Sequence, residues 1–223
     1  WSKDTKRYPF DQIYGLIHKI QPACMIVNNH DMFYINGEDF MVYALYAKFP
    51  QQDYDSDPHV KQLPLQAMDM ASDKWGYYSK QINKPADTLI RNLVKVAANN
   101  AVFLLNTGPL ADGSMDRHFI DTMKVVKTWM DKNGETINGT KGGPFKLGHW
   151  GGSTQNGKKI YVHLFNLENA SFQLPVLKQK VKQVLYFDGK KKVDYEHKNG
   201  GLLLKLDKNR VNSLDTIIEI ELE

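Results

Sequence analysis

The sequence predicts an α/β domain built on a parallel sheet, followed by a separate all-β module. Three observations carry this. Helix-like and strand-like segments alternate through the first 143 residues, which is the grammar of a parallel sheet. The apolar runs at 23–27 and 101–105 are unbroken rather than alternating, as in strands covered on both faces. Beyond residue 143 the hydrophobic period becomes two, and turn dipeptides recur. The chain has 223 residues, 42% hydrophobic and 24% charged. That is enough for one large domain or two small ones, and it is unlike a disordered chain.

Residues 11–20 read as a helix. Phe10, Ile13, Ile17 and Ile20 recur at intervals of three and four, Asp11 sits at the entry and Pro22 lies past the end. Residues 23–27 then form a short strand. Residues 28–62 read as one long loop, opening on Asn28-Asn29-His30-Asp31 and carrying aromatics that argue against disorder. Loops of that length in compact domains are functional or disordered. Residues 63–70 form a further short strand, with Trp75-Gly76-Tyr77-Tyr78 beyond it. Residues 86–99 form a helix with Leu89, Leu93, Val96 and Ala97 on one stripe. Residues 101–105 form a second buried strand ending at Asn106. Ser114 is expected to cap a helix reaching Asn133, with Phe119, Met123, Val126 and Met130 inward and Gly134 as a left-handed stop.

The boundary falls at 139–144, giving domains 1–143 and 144–223. In the second, Ile160, Val162 and Leu164 alternate with Tyr161, His163 and Phe165. Residues 181–187, 201–206 and 216–222 are also strand-like. Asn156-Gly157, Asp188-Gly189 and Asn199-Gly200 mark turns. The module has no clear aromatic cluster, so a packing or protein–protein role competes with sugar binding there.

Composition excludes several classes. The single cysteine, Cys24, rules out an internal disulfide framework and a multi-cysteine zinc module. No apolar run approaches the roughly 20 residues that span a bilayer. The net charge is +4, with 13 basic and 9 acidic residues after Gly143 and 16 of each before Pro144. Lys190-Lys191-Lys192 is a short solvated run, far from the dense basic stripe of a nucleic-acid binder. There is no GxGxxG, P-loop, HExxH or GxSxG motif. His30, Asp31, Glu38 and Asp39 cluster in sequence but fit no standard zinc spacing.

What remains is a loop edge at the C-terminal ends of strands, where α/β folds bind ligands. Aromatics, amides, a histidine and carboxylates gather there, the residue types that suit a sugar. Aromatic faces cover C–H patches while polar groups pair with hydroxyls. Trp1 and Trp75 are platforms or half-buried core tryptophans, and His30 is a ligand or a strand-end cap. The residues alone leave both readings open. Asn106 reads as a turn-former before Gly108.

Three linked motifs carry a resemblance. The first is Trp75-Gly76-Tyr77. The second runs from Asn99-Asn100 through Leu104-Leu105-Asn106-Thr107-Gly108-Pro109 to Asp112-Gly113. The third runs from Trp129 through Asn133-Gly134-Glu135-Thr136-Ile137-Asn138-Gly139-Thr140. In this order and at these separations they resemble the retaining α-L-fucosidases of glycoside hydrolase family 29. The resemblance spans residues 1–143, and the β module sits where that family carries a C-terminal sandwich.

The resemblance implies a partial (β/α) barrel followed by a β-sandwich. Half a barrel leaves open sheet edges, so the chain is expected to be a piece of something larger, with the missing N-terminal barrel half as its partner. The family nucleophile, an aspartate just before a tryptophan, is expected upstream of Trp1. Trp1, His30 and Trp75 are implied as fucose-binding residues. The acid/base position falls near Ala44, counted from Gly37-Glu38-Asp39, or at Tyr46, counted from Pro50. A second family glutamate falls at Gln66. Neither Ala44 nor Gln66 supplies a carboxylic acid, leaving Glu38, Asp39, Asp55 and Asp57 as substitutes. The implied parent releases α-linked L-fucose from fucosylated glycans by a retaining mechanism, without metal or organic cofactor. This chain alone is expected not to turn over substrate. A non-catalytic fucose- or carbohydrate-binding relative is the alternative. The residues leave the compartment open. The resemblance points to a secreted or periplasmic protein.

Overall fold

A computed structural model describes residues 8–29, 34–44, 63–167 and 169–223. The chain divides into two compact units, residues 1–70 with 101–107 and residues 71–100 with 108–223.

The first unit is helix α1 (Phe10–Ile20) and a four-stranded parallel sheet. Its strands are β1 (Val27–Asn28), β2 (Phe40–Ala44), β3 (Leu65–Met70) and β4 (Ala101–Asn106), hydrogen-bonded in that order. The strand expected at 23–27 is shorter and later, because only Val27 and Asn28 find a partner, in Phe40 and Met41. The expectation of an unbroken loop from 28 to 62 is corrected by β2, which pairs in parallel with β1 and β3. Alternation there is clear once paired: Met41 and Tyr43 are buried, while Phe40 and Val42 are half-buried.

Register sorts the sheet into two faces. Met41, Tyr43, Ala67 and Asp69 lie on a buried face. Positions 42, 66, 68, 102 and 104 lie on the other, where Val42, Gln66 and Met68 are half-buried and Val102 is 65% exposed. Parallel sheets are ordinarily covered on both faces; among the described residues, this one is open on one at Val102 and Leu104.

The second unit holds helices α2 (Ala86–Ala98) and α3 (Arg117–Asn133) and strands β5 to β12. Strands β5 (Lys141–Gly142), β6 (Gly151–Asn156), β7 (Lys159–Leu164), β12 (Thr216–Leu222) and β9 (Val181–Tyr186) form one antiparallel sheet in that order. Strands β10 (Asp194–Lys198), β11 (Gly201–Lys205) and β8 (Ser171–Gln173) form a second. Both sheets contribute to one core, including Ile160, Val162, Leu164, Leu202, Leu204, Ile218 and Ile220. The β10–β11 hairpin turns on Asn199 and Gly200, both at positive φ, the geometry that Asn-Gly supplies in a two-residue hairpin. Lys190 of the basic run bonds to the buried Glu219 carboxylate at 2.5 Å and lies 4.1 Å over the Phe187 ring.

Three helix details differ from expectation. Asp116, not Ser114, caps α3 by accepting from the His118 amide at 2.7 Å. Ser114 instead closes a turn on Asp112. Gly134 is right-handed (φ −56°) because the chain continues into a 3-10 turn at Gly134–Thr136. The inward stripe of α2 is completed by Ile90 and Val94. Helix α2 packs on α3 and on β5 and β6.

The third motif is structural. Trp129 is buried with its ring 6.5 Å from that of His163, and Glu135 accepts the Tyr161 hydroxyl at 2.7 Å. The Thr136 carbonyl accepts from the Thr154 hydroxyl. The motif therefore ties the end of α3 to β6 and β7.

Candidate functional site

In the parallel sheet, the C-terminal ends of β2, β3 and β4 are Ala44, Met70 and Asn106. Ala44 pairs with Met68, and Val42 with Gln66. Of the two positions implied for family glutamates, 44 ends β2 and 66 lies on the neighbouring strand β3. Trp1 and His30 lie outside the described residues, as do Tyr46, Asp55 and Asp57.

Glu38 and Asp39 precede β2, at the opposite end of that strand from Ala44. Five residue steps separate Asp39 from Ala44, roughly 16–17 Å at 3.2–3.4 Å each. Glu38 is buried and well satisfied. It accepts from the Tyr14 hydroxyl (3.2 Å), the Asn28 side-chain amide (2.9 Å) and the Ile35 backbone amide (2.9 Å). Burial pushes the Tyr14 hydroxyl up to about 12, helped by the Glu38 charge and by the bond donated to it. Asp39 accepts from the Ile26 amide at 2.7 Å and pairs with His18 at 3.5 Å. Gly37, at φ +99° against the Tyr14 side chain, allows the turn that presents both carboxylates. These contacts fasten α1 and the β1–β2 connection.

Sequence reading passed over Asp69. It is buried on β3, one residue before that strand's C-terminal end, and its Oδ1 accepts from the Met70 amide at 2.9 Å. The available signal was a lone acid inside an apolar strand. Burial likewise pushes the Tyr43 hydroxyl upward, on the same face. Among the described residues, no group of three His, Cys, Asp or Glu is placed to hold a metal ion, and no helix is long and apolar enough to cross a membrane.

Beyond β3 the chain enters loop 72–83, which carries Trp75. Its side chain is 47% exposed. The loop is closed by pairing of Ser72 with Asn83 and by two bonds between Asp73 and Ile82: Asp73 N to Ile82 O at 3.0 Å, and Ile82 N to Asp73 Oδ1 at 2.9 Å. The Ile82 amide holds the Asp73 carboxyl below its ordinary value. The first two motifs meet here. A Cβ on Gly108 would lie 2.1 Å from the Tyr77 nitrogen and 2.5 Å from the Gly76 carbonyl carbon. Only glycine lets the turn after β4 lie against the segment that carries Trp75.

Comparison with known structures gives the same architecture. The chain superposes on alpha-L-fucosidase isoenzyme 1 from Paenibacillus thiaminolyticus with a TM-score of 0.80 at 24% identity, covering 98% of this chain and 54% of that one. It superposes on a GH29 alpha-L-fucosidase from Bacteroides thetaiotaomicron, trapped as a covalent intermediate in complex with 2-fluoro-fucosyl fluoride, with a TM-score of 0.78 at 17% identity, covering 95% and 52%. It superposes on Thermotoga maritima alpha-fucosidase in complex with fucose with a TM-score of 0.72 at 16% identity, covering 99% and 50%. The chain spans about half the length of these solved structures. No curated protein matches it significantly. The family model for alpha-L-fucosidase matches residues 2–135. With that match over more than half its length, the chain belongs to the alpha-L-fucosidase family.

Proposed function

We propose that this chain is the C-terminal part of a retaining α-L-fucosidase: part of a (β/α) barrel, residues 1–143, followed by a β-sandwich, residues 144–223. The observation that carries this is the family match over residues 2–135, in a chain spanning half the length of its structural relatives. The open face of the parallel sheet supports it, since a barrel lumen is filled by side chains from every strand.

In this reading the nucleophilic aspartate belongs to a segment upstream of Trp1, and Trp1, His30 and Trp75 line the fucose pocket. The aspartate attacks the anomeric carbon and the glycosidic oxygen leaves with its electron pair. Water then releases fucose from the glycosyl-enzyme. The first step needs a carboxylic acid to protonate the departing oxygen, with the two carboxyl groups about 5–5.5 Å apart in retaining enzymes. Position 44 lies at the C-terminal end of β2. Glu38 and Asp39 lie at that strand's other end, engaged in holding α1, so position 44 is the better acid/base position. Alanine there leaves the departing oxygen without a donor.

Ala44→Glu in the complete parent tests this. General acid help is worth roughly 10²–10⁴-fold. The variant should gain far more on natural fucosides than on nitrophenyl fucosides, whose leaving group needs little protonation. Equal gains, or none while Glu38→Gln abolishes turnover, would reassign the acid. Ala44 and Gln66 also favour a second reading, a relative that binds fucosylated glycans without cleaving them. A parent that binds fucose but releases none from any fucoside establishes it.

A further inference from the structure

We propose that loop 72–83 is a glycan platform extending beyond the fucose pocket, in which Tyr77 and Tyr78 receive the sugar to which fucose is linked. The proposal rests on the fucoside reading above and names the part of the substrate that this loop takes. Tyr77 and Tyr78 are 42% and 48% exposed beside the exposed Trp75, and Ile82 is more exposed still. Three aromatics thus reach solvent within four residues.

Their setting is built rather than slack. Besides the Ser72–Asn83 pairing and the two Asp73–Ile82 bonds, the Lys84 amide donates to the Ala71 carbonyl at 2.8 Å. Tyr78 and Gln81 exchange two bonds: the Tyr78 amide donates to Gln81 Oε1 at 3.2 Å, and the Gln81 amide donates to the Tyr78 carbonyl at 2.9 Å. Gly108 backs the Gly76–Tyr77 peptide. A surface ordered before binding does not pay that entropy on association.

The chemistry of the patch selects the occupant. Tryptophan and tyrosine present flat apolar faces with polar tips. The rest of the loop supplies hydroxyls, amides, carboxylate and ammonium from Ser72, Asp73, Lys74, Ser79, Gln81 and Asn83, and Ile82 is its one aliphatic side chain. A pyranose matches this mixture, with a C–H face for a ring and hydroxyls for the polar rim. Tyr77 and Tyr78 stand two and three residues from Trp75, at most about 7–11 Å of backbone, within reach of a ring adjoining one held at Trp75.

The test is a calorimetric titration of the complete parent with three probes: L-fucose, an α-L-fucosyl-N-acetylglucosamine disaccharide, and N-acetylglucosamine. The disaccharide should bind about three- to tenfold more tightly than fucose, the range of a single aromatic contact. Tyr77→Ala and Tyr78→Ala together should erase that margin while leaving fucose affinity within about twofold, and the phenylalanine variants should keep it. Fucose binding with no disaccharide margin, or a margin that survives the alanine pair, overturns the platform and leaves the fucoside reading standing. Tighter binding of N-acetylglucosamine than of the disaccharide also overturns it. If none of the three binds, the fucoside reading falls and the platform with it.

Discussion

Gly108→Ala probes the contact between the first two motifs. The added Cβ would stand 2.1 Å from the Tyr77 nitrogen, 2.5 Å from the Gly76 carbonyl carbon and 2.8 Å from the Gly76 Cα, where ordinary contact begins at 3.4 Å. All three are backbone atoms, so no rotamer change relieves the clash and the two segments must part by about 1 Å. Overpacking of this kind costs about 1–3 kcal/mol. The substitution regains part of that, about 0.4–1 kcal/mol, by restricting the unfolded chain. For a chain of this size 1 kcal/mol moves the melting temperature by about 2–4 °C, so the net cost of up to about 2.6 kcal/mol lowers it by up to about 10 °C in a calorimetric scan. Trp75 should shift with its backbone, changing the tryptophan emission and weakening fucose binding beyond what unfolding removes. Gly15→Ala is the control, since its Cβ meets nothing within 4 Å and it sits inside α1, where alanine should stabilise by about 0.5–1 kcal/mol. A Gly108→Ala protein that melts within 1 °C of the parent and keeps its emission and affinity would refute the reasoning.

Three further outcomes follow from buried or pinned polar groups. Tyr14→Phe removes one donor to the buried Glu38 and should cost about 1–2 kcal/mol in urea denaturation. Because Tyr14 is raised to about 12 from 10, its contribution is complete below pH 10 and fades as pH climbs toward 12; the phenylalanine variant should lack that alkaline fade. Asp73 is held below its ordinary 3.8, so its grip on the Ile82 amide persists above that pH and is lost as pH falls through the lowered value. Hydrogen exchange of the Ile82 amide should quicken there, and Asp73→Asn should remove the dependence. Asp215 Oδ2 accepts from His163 Nδ1 at 2.8 Å, both side chains fully buried. Asp215→Ala should cost about 1–3 kcal/mol by thermal melting, and Asp215→Asn should recover most of it.

The sequence announced strands only where apolar side chains carry them. Strand β7 and the run 216–222 were visible because Ile160, Val162, Ile218 and Ile220 fill the core. Strand β6 was not, because its buried positions are Gly151, Gly152, Ser153 and Thr154. There, close approach excludes larger groups: a Cβ on Gly151 would lie 1.9 Å from the His163 carbonyl oxygen, and one on Gly152 would lie 2.9 Å from the Ala98 Cβ. Strand β2 was hidden by its flanks, with Gly37 and Asp39 before it and an aspartate-rich stretch after it. The family was legible because three motifs stand in order, and two sets of contacts explain them: Gly108 of the second seats Gly76–Tyr77 of the first, and Trp129 with Glu135 of the third fastens α3 to β7. The roles of Glu38 and Asp39 were not legible. Composition shows that carboxylates are present, but only pairing shows that they stand before β2 and serve α1.

The central claim is that the complete protein forms a glycosyl-enzyme with fucose. The most direct measurement is intact-mass and peptide analysis after incubation of the complete parent with 2-fluoro-fucosyl fluoride, the reagent whose covalent intermediate was trapped in the Bacteroides thetaiotaomicron relative with a glutamate-to-glutamine mutant. Fluoride leaves with little acid help, so alanine at position 44 does not prevent the first step. A one-to-one fluorofucosyl adduct on an aspartate upstream of Trp1 is predicted. An unmodified protein that nonetheless binds fucose would contradict the enzyme reading and leave a binding protein in its place.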